Sequence, residues 1–389
     1  MKDRTLLMIP GPIEFEPAVL QALGAPTMSH VDPAFIDAFG RALEAMRVVF
    51  GAPTGQPLVL AGSGTLAMDC AGANLVEPGD RALVLSTGVF GDRFEDLLGR
   101  YGAEVDVVRA PVGETIDFDA VAAKLAVGGY KVMTATHVDT STGVRVDAER
   151  FGALWREHGV LTVLDGVCSV AGEELRQDAW GIDLALTASQ KAIGVPPGLA
   201  LLVVGPNALA SWESRRSPVA NYYADWAKWL PIMTAYEKRS PSYFGTPAVN
   251  LVCALDVSLQ GIVAEGMQVR VERHRRIGSA CRAAIAALGL DIVPTDGAHA
   301  ANTLTAPRFP QGVAGGELLP RVRAAGAILA GGLHPQIKSE YFRIGHMGSV
   351  SVGDLLATIG AIEVGLRSCG HPFTDGAGVA AAQTVFVAS

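Results

Sequence analysis

The sequence predicts an α/β fold: a large domain on a mostly parallel seven-stranded sheet, followed by a smaller α+β C-terminal domain. Three observations carry this. From residue 57 to 204, short apolar runs alternate with amphipathic segments of helical length, the pattern of a parallel sheet covered on both faces. Between about 217 and 243 the pattern breaks into an aromatic, irregular stretch that reads as a long loop. Beyond it come two long helical segments, then short strand-like runs and a further helix. These shifts divide the chain into an N-terminal segment (1–13), a large domain (14–255), a small domain (256–370) and a tail (371–389).

Each element follows from its residues. Residues 57–61 form an apolar run and read as the first strand, and a Gly-Ser-Gly turn then opens a helix over 65–76. Residues 81–86 read as the second strand. In the helix 90–101, Phe90, Phe94, Leu97, Leu98 and Tyr101 recur at helical spacing. Strands over 104–109 and 130–136 flank a helix over 119–126, in which Val121 and Leu125 stand four apart. A helix over 147–158 leads into strands at 160–165, 182–187 and 199–204. Past the predicted loop, helices are expected over 248–265 and 267–288, broken near Gly266. Strands follow at 302–306, 327–330 and 341–344, and a helix at 352–366. The Gly- and Ala-rich tail from His371 is expected to be partly ordered at best.

Composition narrows the function. With 389 residues, 49% hydrophobic and 18% charged, the chain is long enough for two domains and too apolar for disorder. Net charge is −8, and no basic stripe is interleaved with aromatics, so no nucleic acid partner is expected. Five cysteines occur without any C-x-x-C pair, which predicts reduced thiols and a cytoplasmic protein. No metal is expected, because no His/Cys/Asp cluster has ligand spacing. The apolar run before Pro10 is too short for a signal peptide, and the chain does not end in a peroxisomal tripeptide. The apolar run 199–204 falls far short of the roughly 20 residues of a membrane span, so no membrane partner is expected.

The candidate chemistry sits at strand ends, where ligands bind in such sheets. Lys191 is a lone cation among Ala188, Ser189, Gln190, Ala192 and Ile193. A loop lysine is usually just solvated, but these flanks predict burial, which lowers an amine's pKa and suits it to imine chemistry. Asp165 closes an apolar strand 26 residues upstream. Its commoner role is a cap or turn; paired with Lys191 it suits an anion facing the pyridine nitrogen of pyridoxal phosphate (PLP). Gly62-Ser63-Gly64-Thr65 can offer backbone N–H groups to an anion, or can be an ordinary N-cap; it fits neither dinucleotide nor P-loop spacing. Phe90 could lie on a ring or simply fill core. Ser141 lies in a hydroxyl-rich turn. Arg343, in an apolar strand, suits either a substrate carboxylate or a structural ion pair.

As a set, these stretches resemble the class V, fold-type I PLP-dependent aminotransferases, most closely alanine–glyoxylate aminotransferases of the fungal type. The resemblance runs over roughly residues 5–368: 7–13, 60–66, 136–142, 186–194, 243–247, 330–334 and 343–348. It implies Lys191 as the Schiff-base lysine and Asp165 on the ring nitrogen, with Phe90 and Val167 on the two ring faces. Ser141 would lie at the phenolic side, and Ser63, Gly64, Thr65 and Gln190 at the phosphate. Tyr243 and Thr246 would reach the neighbouring subunit's phosphate in a homodimer, and Gly11 and Arg343 would bind substrate. The animal enzymes have tryptophan at the Phe90 position and histidine at the Thr65 position. The implied activity is transamination between L-alanine and glyoxylate, with small amino acids and 2-oxo acids as the partners. Serine–glyoxylate, serine–pyruvate or pyridoxamine–pyruvate transfer are the alternatives, and a cysteine desulfurase-like lyase is a remoter one. No second arginine is clearly placed for a side-chain carboxylate, Arg93 and Arg145 being the candidates.

Overall fold

The computed structural model describes residues 5–388. Residues 1–4 of the predicted N-terminal segment and Ser389 of the predicted tail lie outside the described residues.

A seven-stranded sheet organises the large domain. Its order is Gln56–Ala61, Leu199–Val204, Leu184–Ala188, Leu161–Asp165, Tyr130–Thr136, Arg81–Ser86, Glu104–Arg109. Leu199–Val204 runs antiparallel to both neighbours, and the four remaining pairings are parallel. The inner strands Leu161–Asp165, Leu184–Ala188 and Leu199–Val204 are buried along their whole length, because helices cover both faces. Helices Gly64–Leu75, Val89–Arg100, Phe118–Val127 and Ala148–His158 follow the strands much as the periodicity predicts. The carboxyl ends of five strands therefore deliver Gly62–Thr65, Thr87–Phe90, His137–Ser141, Asp165–Val167 and Ser189–Lys191 to one edge.

The stretch predicted as a long loop is corrected by the structure. Trp226–Glu237 is an α-helix, with the Asp225 carboxylate accepting from Ala227 N at 2.9 Å as its cap. Trp226, Trp229, Met233 and Tyr236 recur at helical spacing and are buried, a period hidden by the surrounding aromatics. A further long helix, Pro33–Phe50, lies ahead of the first strand expected from the sequence. Asp32 caps it, Pro33 opens it, and Gly51 closes it in the left-handed conformation at φ 61°. It packs on Val249–Glu265.

A second hydrophobic core gathers Ile277, Leu318, Phe342, Ile344 and Ile359 around a three-stranded antiparallel sheet, Leu304–Thr305, Phe342–Gly345 and Ala330–Gly331. Helices Met267–Ala287, Gly315–Ala324 and Val352–Ser368 surround it. Leu6–Leu7 pairs in parallel with Ala327–Ile328, so the chain's first described residues belong to this second layer before crossing to the strand ends. The tail expectation is also corrected. Ala377–Val387 is a helix lying on Met267–Ala287, and the Glu363 carboxylate accepts from Gly378 N at 2.8 Å near its start. Its alanines, which the sequence shows only as a Gly- and Ala-rich tail, are strong helix formers once Gly378 and Ala382 have a surface to pack on.

No single described helix is long and apolar enough to cross a membrane. The bent pair Val249–Glu265 and Met267–Ala287, 86° apart, is apolar because it contributes to both cores.

Candidate active site

Asp165 ends the central strand, 1% exposed, and its Oδ1 accepts from Val167 N at 2.9 Å. Burial pushes the carboxyl up to about 7, with the nearby Asp139 adding to the shift; Arg93 and Lys191 pull it down. Lys191 follows the neighbouring strand and is 8% exposed. Burial lowers its pKa, and the Arg343 charge lowers it further. Its Nζ donates to the Pro10 carbonyl.

The loop carrying Lys191 is held on several sides. Gly194 N donates to Lys191 O at 2.8 Å, Ser189 Oγ donates to Pro196 O at 2.8 Å, and Arg270 Nη2 donates to Ala192 O at 2.7 Å. Arg270 Nε also donates to Ala171 O at 2.8 Å, beyond the Asp165 turn. One buried guanidinium thus ties together the loops that present the anion and the amine. Gly11, at φ +91°, passes directly over Lys191; a Cβ there would lie 2.8 Å from Cε and 2.9 Å from Nζ.

At the other end of the edge, Ser63 precedes helix Gly64–Leu75 without a side-chain cap bond. The first N–H groups of this helix therefore face outward with the helix dipole behind them. Gly64 is buried against Val167, so closely that a Cβ on it would lie 2.8 Å from Val167 Cγ2. Gln190 Oε1 is buried without a hydrogen-bond partner. Phe90 is half-buried, with the Arg93 guanidinium 4.8 Å from its ring centroid on one side.

Asp139, to which the sequence assigns no role, organises this wall. It is fully buried and accepts from Ser141 N at 2.8 Å, Ser141 Oγ at 2.5 Å and Phe90 N at 3.0 Å. Burial raises its pKa, and these bonds oppose that rise. Ser141 Oγ also accepts from Val89 N at 3.1 Å. One carboxylate therefore sets both the Ser141 hydroxyl and the aromatic at Phe90. Its only sequence signal is an acid between a buried strand end and a hydroxyl-rich turn. Gly88 makes room, since a Cβ would lie 2.7 Å from Asp139 Cγ.

Arg343 comes from the small-domain sheet. Its Nε donates to Gly331 O at 2.8 Å and its Nη1 to Thr140 O at 3.2 Å. Among the described residues no carboxylate pairs with it, and burial lowers its pKa. Next to it, the buried Tyr341 Oη donates to Ser141 O and accepts from Leu333 N at 2.8 Å and His334 N at 2.9 Å. Arg145 is committed elsewhere, 3.6 Å from the buried Glu173 and bonded to Ala298 O.

Tyr243 and Thr246 lie toward the surface of the single chain, the exposed Tyr243 ring packing on His30 with centroids 5.3 Å apart. Tyr223, not singled out from the sequence, donates its hydroxyl to Ala61 O at 3.2 Å, beside the glycine turn. Among the described residues no group of acids, histidines and cysteines could hold a metal.

The family described as Aminotransferase class-V matches residues 19–335. The chain belongs to this family. It is 38% identical over 364 residues to alanine–glyoxylate aminotransferase 1 of Saccharomyces cerevisiae, covering 89% of this chain and 93% of the yeast protein. Among solved structures, ureidoglycine–glyoxylate aminotransferase from Bacillus subtilis superposes with a TM-score of 0.93 at 26% identity, over 100% of this chain and 99% of that one. Pyridoxamine–pyruvate aminotransferase from Mesorhizobium loti gives 0.93 at 28%, over 99% and 98%. The fold is that of fold-type I, the protein is an aminotransferase, and its cofactor is PLP. The residues fit that group: a buried carboxyl, a buried amine and a helix start whose first N–H groups carry no side-chain cap all lie along one edge.

Proposed function

We propose that this aminotransferase moves the amino group of L-alanine to glyoxylate, giving pyruvate and glycine. The observation that carries the reading is Arg343: one guanidinium, anchored by two backbone carbonyls and without a carboxylate partner among the described residues. One such receptor suits acids with a single carboxylate. The glyoxylate relatives support the acceptor.

In this reading Lys191 Nζ would hold the cofactor, Asp165 would face its ring nitrogen, and Phe90 and Val167 would flank the ring. Ser141 would meet the phenolic oxygen; Ser63, Gly64, Thr65 and Gln190 would take the phosphate. PLP, when bound, supplies an electron sink that makes the Cα–H of an attached amino acid acidic. Lys191 Nζ then serves as the base that removes the Cα proton and returns it, and burial favours the neutral amine this needs. Arg343 orients the substrate by its carboxylate, and Gly11 leaves space over the amine. Asp165 would place its carboxylate at the ring nitrogen, with its ionised form supported by the Val167 amide and by Arg93.

We read the enzyme as a cytoplasmic homodimer. Leu20, Val31, Val48, Tyr222 and Tyr243 expose apolar surface that a second copy would cover. Tyr243 and Thr246 would then complete the neighbouring phosphate site. The five free cysteines support a reducing compartment.

The test is a substrate panel with purified holoenzyme. Alanine with glyoxylate is expected to give the highest kcat/KM. A higher value with serine, or with pyridoxamine and pyruvate, sinks the assignment. The pyridoxamine–pyruvate neighbour makes that pair the second reading.

A further inference from the structure

We propose that Arg93 is the cationic member of the phosphate cradle: it stands behind Thr65, turns the Thr65 hydroxyl into a donor, and supplies the charge that favours the phosphorylated cofactor over pyridoxal. The inference rests on reading Gly62–Thr65 as the phosphate site.

A bound phosphate monoester is close to a dianion at neutral pH. Ser63, Gly64, Thr65 and Gln190 are all neutral, and a helix N-terminus contributes only about half a positive charge. The cradle as read from sequence is therefore short of charge. Arg93 meets that need from the adjacent helix Val89–Arg100. Its Nη1 donates to Thr65 Oγ1 at 2.9 Å, and its guanidinium covers Phe90 at 4.8 Å. Two other arginines in and beside this helix are consumed by acids, Arg100 by Asp96 at 3.1 Å and Arg109 by Asp92 at 3.0 Å. Arg93 forms no ion pair among the described residues, although Asp92 is its neighbour in sequence; Asp92 is turned to Arg109 and Ser86.

The hydrogen bond has a directional consequence. A threonine hydroxyl has one proton and two lone pairs. With Arg93 donating to the oxygen, the proton is free to be given to an anion, and the bond is strengthened by the charge behind it. The cation over Phe90 also fixes that ring where it would stack. The position engages Arg93 at the cofactor, which removes it from the role of receptor for a substrate's second carboxylate.

The experiment compares dissociation constants for PLP and for pyridoxal, read by absorbance and fluorescence on protein stripped of cofactor, for wild type and Arg93→Gln. The expected result is a loss of PLP affinity of about 10- to 100-fold, the range of a lost charge-assisted bond, with pyridoxal affinity within about threefold of wild type. Arg93→Met keeps the aliphatic packing and gives the same comparison should the glutamine variant fail to fold. Arg93→Lys, which keeps charge without the planar fork, is expected to lie between. Equal losses for both ligands, or no loss for either, overturn the proposal. So does unchanged PLP affinity with turnover lost only for aspartate as donor. Wild-type protein that binds neither ligand would instead refute the cofactor site itself.

Discussion

Replacing Asp165 by asparagine is expected to stabilise the cofactor-free protein at alkaline pH while crippling its use of PLP. The carboxyl ordinarily ionises near 3.8 and is pushed to about 7 by burial. At about 1.36 kcal/mol for each decade, ionising it inside the fold costs up to about 4 kcal/mol. The folded chain binds this proton more tightly than the unfolded chain does. Stability from this group is therefore complete below about pH 4 and declines as pH rises to about 7. Asparagine keeps an oxygen for Val167 N and carries no charge, so it escapes the penalty. The check is urea unfolding of both cofactor-free proteins at about pH 4, 5.5, 7 and 8.5 at fixed ionic strength. The gap favouring asparagine should be near zero at about pH 4 and widen to about 2–4 kcal/mol above about pH 7, allowing for partial relaxation of the site. Adding PLP should reverse the order at the most alkaline point if Asp165 meets the ring nitrogen as proposed, because a protonated nitrogen would pair with the aspartate and not with asparagine. A gap that ignores pH, or a wild type that is the more stable apoprotein in alkali, refutes the reasoning.

Other perturbations address separate parts of the site. Lys191→Ala should lower turnover by at least about 10⁴-fold and abolish borohydride labelling; a label retained on another residue would show that Lys191 is not the link. Gly11→Ala places a Cβ within 2.9 Å of Lys191 Nζ on a backbone at φ +91°, so a loss of about 1–3 kcal/mol in stability together with a lower kcat is expected, measured by thermal melts and steady-state kinetics. Arg343→Ala should raise KM for alanine and glyoxylate by about 10- to 100-fold, and an unchanged KM would move carboxylate recognition elsewhere. If Tyr243 serves the neighbouring subunit, mixing inactive Lys191→Ala and Tyr243→Ala chains should restore about one quarter of wild-type activity, since about half of the dimers are mixed and each has one intact site. No recovery after verified subunit exchange argues against the shared site.

The central sheet was legible because its strands are buried on both faces and read as unbroken apolar runs, as at 161–165 and 199–204. Lys191 and Asp165 were legible because a charge among apolar neighbours at a strand end needs a reason. Helix Trp226–Glu237 was hidden because its buried positions are aromatic and sit beside other aromatics that do not share its face. The place of Asp139, and the contact of Arg93 with Thr65, were hidden for a different reason. Their partners, Phe90 N and Thr65 Oγ1, lie 49 and 28 residues away, and no local pattern records such contacts. Pro10 reaches Lys191 across 181 residues, a contact that depends on the pairing of Leu6–Leu7 with the small domain.

The Tyr341 hydroxyl carries a mechanical implication. It is shared among a large-domain carbonyl at Ser141 and two amides at Leu333 and His334, and it immediately precedes the strand bearing Arg343. Arg343, the proposed receptor for the acid group, and Ser141, proposed to stand beside the cofactor's phenolic oxygen, are thereby riveted into one body. Loosening that rivet, as in Tyr341→Phe, would free the strand bearing Arg343 from the Ser141 carbonyl and blur the aim of the guanidinium.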